Sequence, residues 1–297
     1  MISEAQIAAQ LGKLPTLPAS YYRVVQLSQN EASSAADFEQ ALKPDPALTA
    51  NVLRLANSAF FGVQRSISSI RHAVAMLGVR RVVQAALGAA MRNVVPDVLP
   101  GYGMESGEFW RHSVAVAACS SRIGEKVGQM ARKSGGRLDR SLQDGGLIFT
   151  AGLLHDIGKL MVGIFLAENL EAIQTEVRER ENVFITAEEL VLGIDHTKVG
   201  VAVAEKWHLP EAISVAARYH HAPGEAPPEF VRLVDVVHLA DCVAHSLGYG
   251  VDLGELSRRI DEGAMARLGL ANRHLEEAAS GVLEEIDELV KTLGKNR

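Results

Sequence analysis

Helix signals recur from one end of this chain to the other, and no run of alternating β-branched residues interrupts them. The 297 residues are therefore expected to bury themselves by packing helix on helix, giving an all-α fold. Asp45-Pro46 places a side-chain acceptor before a proline at a first helical position, which predicts a helix through Ala56. Thr186 followed by Glu189 predicts a capping box ahead of Leu190, Val191 and Leu192. Gly78, Gly158, Gly193 and Gly248 fall where helices should end or approach closely. An aromatic content of only 5%, against 47% apolar residues, suits helical packing better than a β-sandwich.

The helical pattern breaks near Pro96 to Gly107, where Pro96, Pro100, Gly101 and Gly103 cluster. That break predicts an N-terminal helical subdomain over residues 1–100, with about five short helices, and a longer-helix subdomain over 101–297. Ser134-Gly135-Gly136-Arg137 reads as a surface loop. The last segment, His274 to Leu293, is amphipathic through Leu275, Val282, Ile286, Leu289 and Val290. It is expected to pack as a helix, with a homodimer contact as the alternative.

A net charge of −6 argues against a partner held by bulk electrostatics such as nucleic acid, and Arg71, Arg80 and Arg81 read as a solvated helix face. The N-terminus lacks the basic and apolar blocks of a signal peptide. The most apolar stretches, such as Val82 to Met91, are expected to fall far short of a bilayer span. A cytoplasmic chain without a membrane partner is the expectation. Two cysteines, Cys119 and Cys242, with no CxxC pair, suggest neither a disulfide framework nor a zinc ribbon.

Gly152-Leu153-Leu154-His155-Asp156-Ile157-Gly158-Lys159 is the strongest local signal. Successive helical side chains diverge by about 100°, so the histidine can hold one ion while the neighbouring carboxylate reaches between two. Imidazole with carboxylate, and no thiolate, suits Mn, Fe, Zn or Ni. His112 precedes the apolar face of Val114, Ala117 and Ala118; His196 follows Asp195 at a helix start; His220 and His221 close the helix from Glu211; Asp241 lies mid-helix. Each has an ordinary alternative. His112 could be a core histidine, His196, His220 and His221 could be solvated, and Asp241 could pair with Arg232 or Arg218. An unpaired buried acid would be expensive, however, and helical bundles build metal sites from facing helices in this way. Taken jointly, the positions point to a metal site.

The order His112, His155-Asp156, Asp241 resembles the HD superfamily of metal-dependent phosphohydrolases. His196 and His220-His221 resemble the extended ligand set of the HD-GYP cyclic-di-GMP phosphodiesterases, and Glu108, one turn before His112, matches the place of an additional acidic ligand. The Gly-Tyr-Pro signature is missing, since the paired histidines are followed by Ala222-Pro223-Gly224-Glu225-Ala226-Pro227-Pro228. A broader resemblance is to the HDOD domain, an HD-related output domain of bacterial signalling. It rests on Leu14-Pro15-Thr16-Leu17-Pro18, Leu53 to Gly62, Ser69 to Val74 leading to Leu77-Gly78, Phe109 to Ser113, and Trp207-His208-Leu209-Pro210, over about residues 10 to 245.

That resemblance implies an N-terminal helical bundle packed against an HD-type helical core, and a regulatory role. Many members of that family have lost ligands, and this chain is unusual in keeping so many; the HD and HD-GYP resemblances imply two divalent ions such as Fe or Mn. Asp156 would bridge them, with His112, His155 and Asp241 on one ion and His196, His220 and His221 on the other. Lys159 is expected to direct its ammonium to a phosphate, and His245 to support Asp241 from one turn away. Two function classes follow: a regulatory module responding to a signalling protein or a nucleotide ligand, or a phosphodiesterase acting on a nucleotide or cyclic dinucleotide.

Overall fold

The computed structural model describes residues 2–58, 61–63, 66–179, 184–250 and 259–293. In chain order the helices are α1 (Glu4–Lys13), α2 (Ala19–Ser28), α3 (Ala35–Leu42), α4 (Pro46–Ala56), α5 (Ile70–Leu77), α6 (Val79–Val94), α7 (Glu108–Lys133), α8 (Gly145–Leu154) and α9 (Lys159–Glu168). They continue with α10 (Leu170–Glu179), α11 (Phe184–Leu192), α12 (His196–Lys206), α13 (Glu211–Tyr219), α14 (Val231–Ser246), α15 (Glu262–Leu268), α16 (Asn272–Ser280) and α17 (Leu283–Leu293). Among the described residues the only β pairing is an isolated bridge between Leu99 and Met104. The fold is all-α.

The chain forms two compact units: Met1–Leu14 with Pro96–Val282, and Pro15–Val95 with Leu283–Arg297. The internal division falls between Val95 and Pro96, but neither unit is one continuous block. In the larger unit α1 lies along α12, and the Lys206 ammonium donates to the Leu11 carbonyl. In the smaller, α17 packs on α4 and α6 through the buried Ile286 and Leu289.

In the smaller unit α4 begins as its sequence dictates, with the Asp45 carboxylate accepting from Leu48 N–H at 2.9 Å and Pro46 in the first turn. Phe38, Leu42, Leu48, Val52 and Leu55 are fully buried. Asn57, inside the Leu53-to-Gly62 motif, secures the chain beyond α4: its amide donates to Leu53 O and Ile67 O, both at 2.8 Å, and its oxygen accepts from Ile67 N–H at 2.6 Å. Ala59 and Phe60 of that motif lie outside the described residues.

Three local expectations change. Thr186 sits inside α11 rather than capping it, because Phe184 is buried against the Tyr102 ring (centroids 5.3 Å apart) and the helix already includes it. The last amphipathic segment is two helices, broken at Gly281, whose carbonyl accepts from the Arg122 guanidinium at 2.7 Å. Each half packs in its own unit, α16 against α7 and α17 against α4. A longer apolar stretch than Val82 to Met91 also exists. Gly145–Glu168, across α8 and α9, has the length to cross a membrane and holds an 18-residue window of mean hydropathy 1.5, yet 89% of that window is buried within the protein. It is the central segment of the larger unit, where α8 packs on α7, α13 and α14.

Gly158 shows how tightly that centre is built. A Cβ there would collide with the His196 carbonyl oxygen and stand 2.6 Å from Gly200 N; both are backbone atoms that cannot step aside. Gly158→Ala is expected to cost about 3 kcal/mol, lowering Tm by roughly 10 °C. Gly12→Ala, where a Cβ meets nothing within 4 Å, is the control and should leave Tm unchanged or slightly raised. Thermal melts of both variants decide; a Gly158→Ala protein as stable as the parent contradicts the close approach.

Candidate metal centre

Five separate chain segments deliver the site, and local caps and turns set where several of them begin or end. Asp144 caps α8 by accepting from Gly146 and Leu147 N–H, at 2.9 and 3.3 Å. The helix then ends at His155, and a tight turn with Lys159 N–H donating to Asp156 O (2.9 Å) opens α9. Asp195 caps α12, accepting from Thr197 and Lys198 N–H at 2.8 and 3.1 Å, which sets His196 in the first helical position. His220 terminates α13, and Pro223 follows it in a short 3-10 turn. His112 comes from the first turns of α7 and Asp241 from the middle of α14.

These segments converge on Asp156, which is 1% exposed. Its Oδ2 lies 3.4 Å from His112 Nε2 and 3.3 Å from His155 Nε2. Asp241 Oδ1 stands 3.4 and 3.6 Å from the same two nitrogens. On the other side, Asp156 Oδ1 lies 3.4 Å from His196 Nε2 and 3.3 Å from His220 Nε2, while His221 Nε2 is 3.0 Å from His196 Nε2. All seven side chains expected from the sequence are brought together. Their donor atoms form groups whose members lie within 4.8 Å of one another, among them Asp156 with His196, His220 and His221, and Asp156 with His112 and His155.

The hydrogen bonds decide which ring nitrogens face inward. His155 Nδ1 is 2.8 Å from Gly152 O, His220 Nδ1 3.0 Å from Ala217 O, and His112 Nδ1 3.4 Å from Tyr249 O. A carbonyl only accepts, so each Nδ1 carries the proton and each Nε2 presents a lone pair to the centre. The Nε2 atoms of His112 and His155 then oppose lone pair to lone pair at 3.3 Å. Asp156 Oδ1 and His220 Nε2 are buried without a hydrogen bond. Such an arrangement is costly on its own and is relieved by a cation. Separations of 3.0 to 3.6 Å lie at or within about 0.2 Å of the edges, about 3.0–3.4 Å, of a polyhedron whose donors sit about 2.1 Å from one ion. The donor set therefore fits a divalent metal, and imidazole with carboxylate is its chemistry.

Charge states agree with that role. Burial, reinforced by the neighbouring His155, drives His112 down to about 3 despite the Asp156 carboxylate beside it, and His220 falls to about 3 for the same reasons. Burial alone would raise Asp156, but His155 and Lys159 outweigh it and hold the carboxyl well below its usual range. Burial opposes protonation of His196 too, yet the Glu188 carboxylate prevails and its pKa goes up. At neutral pH, Asp156 is thus ionised and His112 and His220 are neutral, the forms that ligate metal.

Other expectations meet different surroundings. Lys159, expected to face a phosphate, is wholly buried, and its ammonium stands 2.9 Å from Asp156 Oδ2 and 5.2 Å from the Tyr102 ring centroid. Glu108 turns its carboxylate onto Glu105 N–H at 2.6 Å, as a helix-start acceptor, and belongs to none of the metal-competent groups among the described residues. Arg232 and Arg218, the alternatives for Asp241, bond instead to Arg267 O and Thr197 Oγ1. His245 reaches Asp241 Oδ1 at 3.5 Å, sets its ring centroid 5.0 Å from that of His112 at a tilted angle, and shares a metal-competent group with both.

Glu188 and Tyr102 escaped the sequence reading. Glu188, wholly buried on α11, accepts from His196 N–H at 2.9 Å, from His196 Nδ1 at 2.7 Å and from the Tyr102 hydroxyl at 2.5 Å. The one available signal was Glu188 lying eight residues before a histidine that needed a partner. Tyr249-Gly250 was also passed over. Gly250 (φ +83) lies so close to the His112 ring that a Cβ would collide with it.

Comparison with known proteins places this arrangement. Residues 14–223 match the HDOD domain family. An uncharacterised protein of Treponema pallidum (strain Nichols) is 26% identical over 238 residues, 80% of this chain, and the chain spans 43% of that relative's length. An HDOD domain protein of unknown function from Geobacter sulfurreducens superposes with a TM-score of 0.69 at 26% identity, covering 97% of this chain and 96% of its own. A candidate phosphohydrolase of Shewanella amazonensis SB2B shares the fold, with a TM-score of 0.70 at 23% identity and coverage of 97% and 98%. With the family match extending over more than two thirds of its length, this chain belongs to the HDOD family.

Proposed function

We propose that the chain is a regulatory output module of bacterial signalling whose HD-type core holds two divalent ions, Fe, Mn or similar, and responds to a nucleotide or other phosphorylated ligand. One observation carries the reading: the two oxygens of buried Asp156 belong to different histidine groups, Oδ2 with His112 and His155, Oδ1 with His196 and His220. In this reading Asp156 is the bridge, Asp241 completes one side and His221 the other. The family's output role supports the regulatory assignment, which makes a signalling protein the partner that reads the state of the core. Bound ions would supply Lewis acidity toward phosphoryl oxygens. Lys159 balances the bridging carboxylate from within rather than reaching outward to a phosphate.

A second reading, a metal-dependent phosphodiesterase for a nucleotide or cyclic dinucleotide, is favoured by the completeness of the donor set. Against it stands the Ala222-Pro223-Gly224 turn in place of a Gly-Tyr-Pro signature.

Metal analysis after anaerobic purification is expected to return about two equivalents per chain, falling sharply in Asp156→Ala. Less than about a tenth of an equivalent in the parent protein would refute the metal reading. Against bis(p-nitrophenyl) phosphate and cyclic dinucleotides the regulatory reading predicts binding without turnover. Metal-dependent hydrolysis abolished in His155→Ala would favour the enzyme instead.

The same groups make the metal-free chain acid-sensitive. Folded His112 and His220 stay neutral down to about 3, whereas in the unfolded chain they take up protons near 6.5. Between those values the unfolded state binds more protons, so stability falls as pH drops through that window. His196, raised in the fold, contributes in the opposite sense, with stability present below 6.5 and lost as pH rises through its folded pKa; two groups outweigh one. The Tm of chelator-treated protein should therefore drop between pH 7.5 and 5.5, less so in His220→Gln. A Tm that climbs on acidification would contradict these assignments.

A further inference from the structure

We infer that Glu188 is a positioning residue that sets how tightly the His196 side of the cluster holds its ion; this rests on the two-ion reading proposed above. Three donors converge on this one buried carboxylate: the His196 backbone N–H (2.9 Å), the His196 ring Nδ1–H (2.7 Å) and the Tyr102 hydroxyl (2.5 Å). The two bonds to His196 fix both the position of the residue and the orientation of its ring. With Nδ1–H held by Glu188, Nε2 is the nitrogen that faces Asp156 Oδ1, 3.4 Å away, and His221 Nε2 at 3.0 Å, and it is the one free to meet an ion.

The partner's chemistry sets His196 apart. His112, His155 and His220 lean on the neutral backbone carbonyls of Tyr249, Gly152 and Ala217; His196 alone of these four leans on a carboxylate. A carboxylate behind an imidazole fixes its tautomer, raises its basicity and strengthens its bond to a metal, and removing such a partner typically weakens metal affinity 10–100-fold. Tyr102 makes that carboxylate's placement definite. It arrives from the short turn Pro100–Tyr102 and is wholly buried, so its hydroxyl meets Glu188 without competing water. Glu188 touches only His196 of the four rings, while His112 and His155 rest on backbone carbonyls, so loss of Glu188 should be felt on one side only.

The test is a titration of full-length, chelator-treated protein with Co2+, followed by calorimetry and by the visible d–d absorption of the bound ion, with Tm recorded before metal is added. Glu188→Gln is expected to keep one binding step at the parent affinity and to weaken the other by about 10–100-fold. Tyr102→Phe should weaken the same step to a smaller extent, and Glu188→Asp should restore part of the loss. Should Glu188→Gln fail to fold, Tyr102→Phe decides alone, and two unchanged steps in that variant overturn the inference. It is equally overturned if Glu188→Gln binds both ions as the parent does, or weakens both steps alike. A parent protein that takes up no Co2+ defeats the two-ion reading itself, and this inference with it, and so separates the two failures.

Discussion

The larger unit is organised around one buried carboxylate. Asp156 is 1% exposed, and an ionised acid at that depth is tolerated only when positive charge or strong donors surround it. Here the surroundings are imidazoles from four segments and the Lys159 ammonium at 2.9 Å. Lys159 balances a single charge on Oδ2. It leaves Oδ1 without a hydrogen bond and leaves the Nε2 lone pairs of His112 and His155 opposed. The rings of His112, His155 and His220 are locked from behind by backbone carbonyls and that of His196 by Glu188, so hydrogen bonding in the outer layer supports an inner layer that is electrostatically unfavourable by itself.

Much of this was legible in the sequence. The fold class followed from caps and periodicity, and Asp45-Pro46 and Asp195-His196 begin helices where the side-chain chemistry says they should. The His-Asp pair and the other donors could be named because polar residues at buried helical positions need a shared reason. Distance was not legible. Lys159, one turn from the His-Asp pair, reads as a cation aimed at a phosphate, and only the tertiary fold reveals that its ammonium is turned onto Asp156. Glu108 sits one turn from His112 as a ligand should, but the nearer Glu105 N–H captures it, a local bond that spacing alone does not rank against a distant ion. Glu188 lies in a segment whose pattern announces only a helix, so its role emerges once His196 and Tyr102 converge on it.

Chain order and spatial grouping also differ. A break in pattern near Pro96 marks the internal division, but periodicity carries no information about which unit a terminal helix joins. The amphipathic tail illustrates this: its apolar residues form a continuous stripe in the sequence, yet Gly281 divides it and the halves belong to different units. The donors gathered around Asp156 all belong to the unit containing Pro96–Val282. The smaller unit holds the Leu53-to-Gly62 motif, where Asn57 ties the end of α4 to Ile67. The readable motifs of this chain thus divide into one that shapes backbone in one unit and donors that gather around a carboxylate in the other.

The most direct test is anomalous X-ray scattering from crystals of anaerobically prepared protein, collected at the absorption edge of the metal it carries. Two peaks about 3.5–4 Å apart, one on each side of the Asp156 carboxylate, are the predicted result. A single peak touching only one oxygen, or no peak with Asp156 held by Lys159 alone, would contradict the shared carboxylate.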